Sequence, residues 1–310
     1  MMTDPALPPI TLSVVSGTLE NTIREMTDII AQTAQSVTIA IGHDFSTTLL
    51  GQLDGIPIMV ASGDDQPVHL GDLLLKVKTG AEYFGSDLAS GDVMFHNDPA
   101  SGGNHFPDIS MYKPIFVGEE LVAWAAVTCH ISEVGGPVPG GFNPDADTFF
   151  AEGIRIPHVK IVGAGTSRED IWNFIVSNVR TPDTMRGDMG AMLSAVNRGE
   201  HRIVELCQRY GVATVQQCMR RLVERSEEAS RAEIQAMPDG VYKGRGGMEG
   251  DDQGSGDIWI ECNLEIRGDE MYIDFSAPPQ AKSDINSYKN NSMSAVFIAF
   301  VTALSPDIPI

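Results

Sequence analysis

Residues 105–130 read HFPDISMYKPIFVGEELVAWAAVTCH, two β-rich runs on either side of a Gly118-Glu119-Glu120 turn. Residues 109–116 and 121–129 are each of strand length, and so short a turn makes them antiparallel neighbours. His105 and Asp108 then stand just before one strand and His130 at the end of its partner. Antiparallel pairing sets such ends side by side, with opposed residues within about 5 Å. Two imidazoles and a carboxylate are a common ligand set for zinc, manganese or iron. Just upstream, residues 97–108 are rich in Asn, Pro and Gly, which permit the irregular backbone that lets neighbouring side chains converge. A plainer reading has each histidine capping a turn or bonding a carboxylate, and spacing leaves both readings open.

On the N-terminal side, Leu19, Ile23, Met26, Ile30 and Ala34 recur at the spacing of one helical face, which predicts an amphipathic helix over residues 17–36. Three short β-rich runs follow at 37–41, 47–53 and 56–61, the last two joined by an Asp54-Gly55 hairpin signal. Asp44 lies between two of them. Residues 70–84 have helical spacing, with Gly85 as the stop.

On the C-terminal side, residues 135–147 read as a Gly- and Pro-rich loop near the two histidines. Long helices are expected at 187–210 and 212–235, broken at Tyr210-Gly211. Beyond Pro238-Asp239-Gly240, Ile258, Ile260, Cys262, Leu264 and Ile266 alternate with polar residues, then Arg267-Gly268-Asp269 turns the chain into a second strand at 271–275. The apolar stretch at 294–304 reads as a buried core segment, half the length a bilayer crossing needs. The expected class is therefore α+β, with mixed or antiparallel sheets, packed helices and a metal site on loops at strand ends. Three regions are expected: a site-bearing part at 1–185, a helical part at 186–238, and a second β-rich part at 239–310 that stops as though cut within a domain.

Composition narrows the partners. The formal charge is −21 with only 21 Lys and Arg, which disfavours nucleic acid and anionic membrane surfaces, since both need clustered basic side chains. Cys129, Cys207, Cys218 and Cys262 form no Cys-x-x-Cys pair, so reduced thiols in the cytoplasm are expected. The first nine residues show no basic start followed by an apolar run, hence no signal peptide. The run Lys243 to Gly250 lacks the lysine-Ser/Thr ending and strand-to-helix context of a phosphate loop. No Gly-x-Ser-x-Gly elbow is present, and Cys129 reads as a small buried residue at a strand end.

Taken together, Gly91-Asp92-Val93, Asn97-Asp98-Pro99, Ser101-Gly102-Gly103, His105, Pro107-Asp108-Ile109, His130, Gly135-Gly136 and the Glu152 to Pro157 run resemble the hydantoinase B/oxoprolinase family. Asp44-Phe45-Ser46, Val68-His69-Leu70-Gly71, Gly187-Asp188, Arg209-Tyr210-Gly211, Met237 to Gly240 and Ile273 to Ser276 extend the likeness over nearly the whole chain. The family includes B subunits of ATP-dependent hydantoinases, the C-terminal half of 5-oxoprolinase and acetone carboxylase α subunits. The resemblance implies a divalent metal, zinc or manganese, on His105, Asp108 and His130, with Asp44 as a fourth ligand. It also implies ATP used through a hydantoinase A-like partner subunit, a small-molecule substrate and a hetero-oligomer that hydrolyses a phosphorylated cyclic amide. Asp98 and Glu133 are candidate general bases because they lie near the ligands in sequence. A ketone carboxylase subunit and a non-catalytic scaffold remain alternatives. Two departures stand out: family members are longer, and His130-Ile131-Ser132-Glu133 replaces a His-His-Ala-Asp pattern.

Overall fold

A computed structural model describes residues 7–63, 66–250, 254, 256–281 and 285–304. Along it run α1 (Pro9–Thr33), α2 (Val37–Ala40), β1 (Phe45–Leu53), β2 (Ile56–Ser62), α3 (Leu70–Phe84), β3 (Val93–His96), β4 (Asp108–Val117) and β5 (Glu120–His130). Then come β6 (Val159–Gly163), β7 (Thr166–Ser167), α4 (Glu169–Val176), α5 (Pro182–Tyr210), α6 (Val212–Ala236), β8 (Gly240–Met248), β9 (Ile258–Arg267), β10 (Glu270–Ser276) and α7 (Lys289–Ala303). The fold is α+β. A seven-stranded sheet has the order β2-β1-β5-β4-β3-β6-β7, a three-stranded sheet the order β10-β9-β8, and every neighbouring pair is antiparallel.

The β4–β5 hairpin is the middle of the large sheet, and alternation along it decides both layers. Ile109, Met111, Ala123, Ala125, Val127 and Cys129 join Leu19, Met26 and Ile30 of α1 and Met189, Met192 and Val196 of α5 in the main core. On the opposite face Tyr112, Trp124 and Ala126 meet Leu73 and Val77 of α3. The helices α5 and α6 thus share a core with the site-bearing sheet, so residues 1–185 and 186–238 fold on each other. Gly199 of α5 permits the close approach: a Cβ there would lie 2.7 Å from the Ala125 Cβ.

Two expectations are corrected. Residues 37–40 form one helical turn instead of a strand. Asp188 on α5, buried, accepts the backbone N–H of Gln35 at 2.7 Å and of Ser36 at 3.0 Å, and the Thr38 hydroxyl bonds that of Ser132 at 2.7 Å. These tertiary bonds override a β-branched run too short to pair. The stretch 294–304 falls on the rest of α7 and its C-cap, and within it only Ser294 and Leu304 are buried while Phe297 is 37% exposed. Its apolar residues surround the helix on all sides, so one seam buries only a few of them.

Several elements lacked a readable period, including the four-residue β3 and the glycine-rich β8. The Lys243 to Gly250 run, weighed as a phosphate loop, lies largely on β8 and is mostly exposed. The first six residues and the last six, on which the leader and truncation readings rest, lie outside the described residues. Among the described residues no helix is long and apolar enough to cross a membrane.

Candidate metal centre

Register places Asp108, first residue of β4, opposite His130, last residue of β5. His105 comes from the turn before β4, closed by the Asp108 N–H donating to the His105 carbonyl at 3.0 Å. Both imidazoles converge on one carboxylate oxygen: His105 Nε2 lies 2.9 Å and His130 Nδ1 3.2 Å from Asp108 Oδ1. One donor atom from each of the three residues falls within 4.8 Å of the others. Asp44, just before β1, stands at the rim, its Oδ2 3.9 Å from His130 Nδ1 and its side chain one-third exposed.

The other Asp108 oxygen is held from behind. Asn104 Nδ2 donates to Oδ2 at 3.2 Å, and His69 Nε2, arriving from the start of α3, lies 3.5 Å from it. Burial pushes the Asp108 carboxyl up, but hydrogen bonds from His105 and His130 and the His69 charge outweigh it and hold the group well below its ordinary range. Burial pulls His130 down, and its bond to Asp108 with the charges of Asp108 and Asp44 reverses this, leaving it raised. A buried, ionised carboxylate with two imidazoles on one oxygen is the donor chemistry of a zinc or manganese site, so the residues fit a divalent cation. Phe142, 57% exposed, lies over both histidines with ring centroids 5.5 Å from His105 and 5.8 Å from His130.

Asp98 and Glu133 are not among the converging atoms. Asp98 caps Ala100 N–H at 3.0 Å and pairs with Arg155 at 2.7 Å, while Glu133 accepts from Gly135 N–H and from Arg180 at 3.0 Å. Arg180 also donates to the Gly136 carbonyl at 2.6 Å, so these pairs fasten the loop beside the site. Asn97 completes the fastening by donating to the carbonyls of Phe106 at 2.8 Å and Ile154 at 2.9 Å. Sequence reading missed His69, Asn104 and Phe142 as parts of the site. Only the motif around His69 carried a signal, and its approach to Asp108 depends on how α3 packs.

Elsewhere on the same sheet, His96 and His158 stack with centroids 4.0 Å apart, both buried, His96 bonded to Ser101 at 2.7 Å and His158 to Tyr112 at 2.7 Å. Burial, then the neighbouring His158 and Lys76, pushes His96 down to about 2, and burial pushes His158 down to about 4. In the unfolded chain imidazole titrates near about 6.5, so stability is complete above that value and lost as pH falls below it. For His96 alone the loss is about 2 kcal/mol between pH 7.5 and pH 5. His96→Gln is expected to flatten this acid limb, read as the urea midpoint against pH. An unaltered limb would show that the ring is not kept neutral by the fold.

Comparison with known proteins follows the same lines. A family profile described as Hydantoinase B/oxoprolinase matches residues 8–310. The chain is 42% identical over 293 residues to the beta subunit of caprolactamase from Pseudomonas jessenii, covering 94% of this chain and 50% of that protein. It is 30% identical over 287 residues to the B subunit of a putative D-/L-hydantoinase from a Pseudomonas strain, covering 89% and 48%. The crystal structure of ATP-dependent caprolactamase from Pseudomonas jessenii superposes with a TM-score of 0.92 at 41% identity, over 97% of this chain and 52% of that one. The chain spans about half the length of these curated relatives.

Proposed function

Because the chain belongs to the hydantoinase B/oxoprolinase family, we propose that it is the metal-bearing part of an ATP-dependent cyclic amide hydrolase, working in the cytoplasm as one subunit of a hetero-oligomer. The observation that carries this is the meeting of His105, Asp108 and His130 within 4.8 Å at the end of two paired strands. A divalent cation, zinc or manganese, on these three with Asp44 at the rim supplies Lewis-acid polarisation and water activation when bound. ATP acts through a hydantoinase A-like partner that phosphorylates the amide oxygen and releases ADP, which makes the ring carbon electrophilic; water adds there, the C–N bond breaks as the ring nitrogen takes a proton, and a second water cleaves the resulting acyl phosphate to carboxylate and inorganic phosphate.

The chain's own residues prepare that step. Asn104 and His69 orient Asp108 and keep its anionic oxygen forward. Phe142 offers an apolar wall beside both histidines, suited to the hydrocarbon part of a lactam ring. Asp98 and Glu133, the expected bases, hold the flanking loop through Arg155 and Arg180. Four free cysteines suit a reducing compartment.

The test uses the chain assembled with its ATP-binding partner. Lactams, hydantoins and 5-oxoproline are each supplied with ATP, and ketones with ATP and bicarbonate. The expected result is ATP-dependent ring opening of a cyclic amide, with stoichiometric zinc or manganese and loss of turnover on chelation. Ketone-dependent phosphate release without amide turnover would overturn the hydrolase reading. An assembled complex that holds no divalent metal would overturn the site.

A further inference from the structure

The helix α7 carries two buried polar side chains one turn apart, Asn290 at 2% and Ser294 at 0% exposure, while Met293 and Phe297 on the same helix stay exposed. Both buried side chains face the start of α3. Ser294 Oγ accepts the Gly71 N–H at 3.0 Å, a group of the first helical turn that has no partner within α3. Gly71 is what admits the contact: a Cβ there would lie 2.8 Å from Ser294 Oγ and 3.1 Å from the Asn290 carbonyl oxygen. Asn290 enters the notch so formed. Its amide nitrogen donates to the Gly103 carbonyl at 2.8 Å and to the side-chain oxygen of Asn104, and lies 3.3 Å from the Gly102 carbonyl and 3.4 Å from Asp72 Oδ1.

Asn104 has one carbonyl and one NH2 end, and only the NH2 end can serve an ionised carboxylate. With Asn290 donating to Oδ1, the Nδ2 end is turned to Asp108 Oδ2 at 3.2 Å. The reverse orientation would set two NH2 groups against each other and aim a carbonyl oxygen at the Asp108 anion. We propose that Asn290 is a positioning residue for the metal centre: the seating of α7 on α3 fixes the Asn104 amide, and through it the orientation of Asp108. This rests on His105, Asp108 and His130 being the metal site. It makes competence of the centre depend on a helix far away in sequence.

The test is zinc affinity of the full chain, measured by competition with a chromophoric chelator, for wild type, Asn290→Ala, Asn104→Ala and the double variant. Each single variant is expected to weaken zinc binding about 10–100-fold, the range for partners that orient a ligand. The double variant should lose no more than the larger single loss, because both act through one bond to Asp108. If Asn290→Ala does not fold, Asn290→Ser, which keeps a donor of shorter reach, carries the same expectation. Wild-type affinity in the Asn290 variant, or losses that multiply in the double variant, would overturn the relay while leaving the site intact. A wild-type chain that takes up no zinc would overturn the site reading, and the relay with it.

Discussion

Asp108→Asn is expected to lower zinc affinity by at least about 100-fold, above the ~10–100-fold seen when only an orienting partner is lost. The reason lies in how the centre is built. Asp108 is 3% exposed, yet its carboxyl is held ionised by the surrounding imidazoles, so it provides the only buried negative charge among the three converging residues. Asparagine keeps the shape and removes the charge. His105→Ala and His130→Ala are expected to follow closely, each removing a nitrogen donor. Asp44→Ala is expected to cost about 10-fold, because its one-third-exposed carboxylate stands at the rim and is well solvated. Chelator competition reads the whole series. An Asp44 loss equal to that of Asp108 would invert the ranking and require the ion to sit nearer the rim.

Lys76→Met is expected to destabilise the fold by about 3–5 kcal/mol, the cost of breaking a buried ion pair from one side. Lys76 and Asp72 lie one turn apart on α3 with side chains fully buried, and Lys76 Nζ donates to Asp72 Oδ2 at 2.7 Å, Ser110 Oγ at 2.8 Å and the Asp108 carbonyl at 3.0 Å. All three protons of the ammonium group are therefore used. Burial pushes the Asp72 carboxyl up, and the charges of Lys76 and His69 counter this only in part. With the ammonium gone, Asp72 would keep its proton to higher pH. Its folded value would lie further above its unfolded one, so the penalty shrinks at low pH and grows as pH rises. Urea midpoints at pH 5 and pH 8 should show the larger loss at pH 8. Lys76→Met with Asp72→Leu should recover most of the stability, since replacing both partners by apolar groups leaves no unpaired charge. A single-variant loss below about 1 kcal/mol would mean that water reaches the pair.

The central hairpin was legible because both of its runs are β-rich and its turn is short, and these features place Asp108 opposite His130. The helix at 70–84 was legible from spacing and the glycine that stops it, where Gly85 has φ +48°. The interior of the site was not. Lys76 and His69 read locally as members of a helix and its approach, and only the packing of α3 on the sheet aims them at Asp108 and Ser110. The His96–His158 stack joins the last residue of β3 to the residue just before β6, with no period to reveal it. For Asp98 and Glu133, nearness in sequence suggested chemistry, and the fold adds partners the sequence does not show, Arg155 and Arg180, far along the chain, at their oxygens. The short turn at 37–40 misled because β-branched residues favour strands locally, and a carboxylate 152 residues away decides otherwise.

The bond from Asn290 to Asn104 closes a loop of 186 residues. During synthesis from the N-terminus, Asn104 leaves the ribosome roughly 10–40 s before Asn290 at cellular elongation rates of about 5–20 residues per second. Through that interval the Asn104 amide has nothing to fix its sense, and an ion arriving early meets an aspartate free to turn. On the proposed metal site, loading would then be a finishing step and not a nucleus for folding, the reverse of small zinc domains that fold around their ion. Which ion the proposed site takes would then be set by the pool that the completed chain meets.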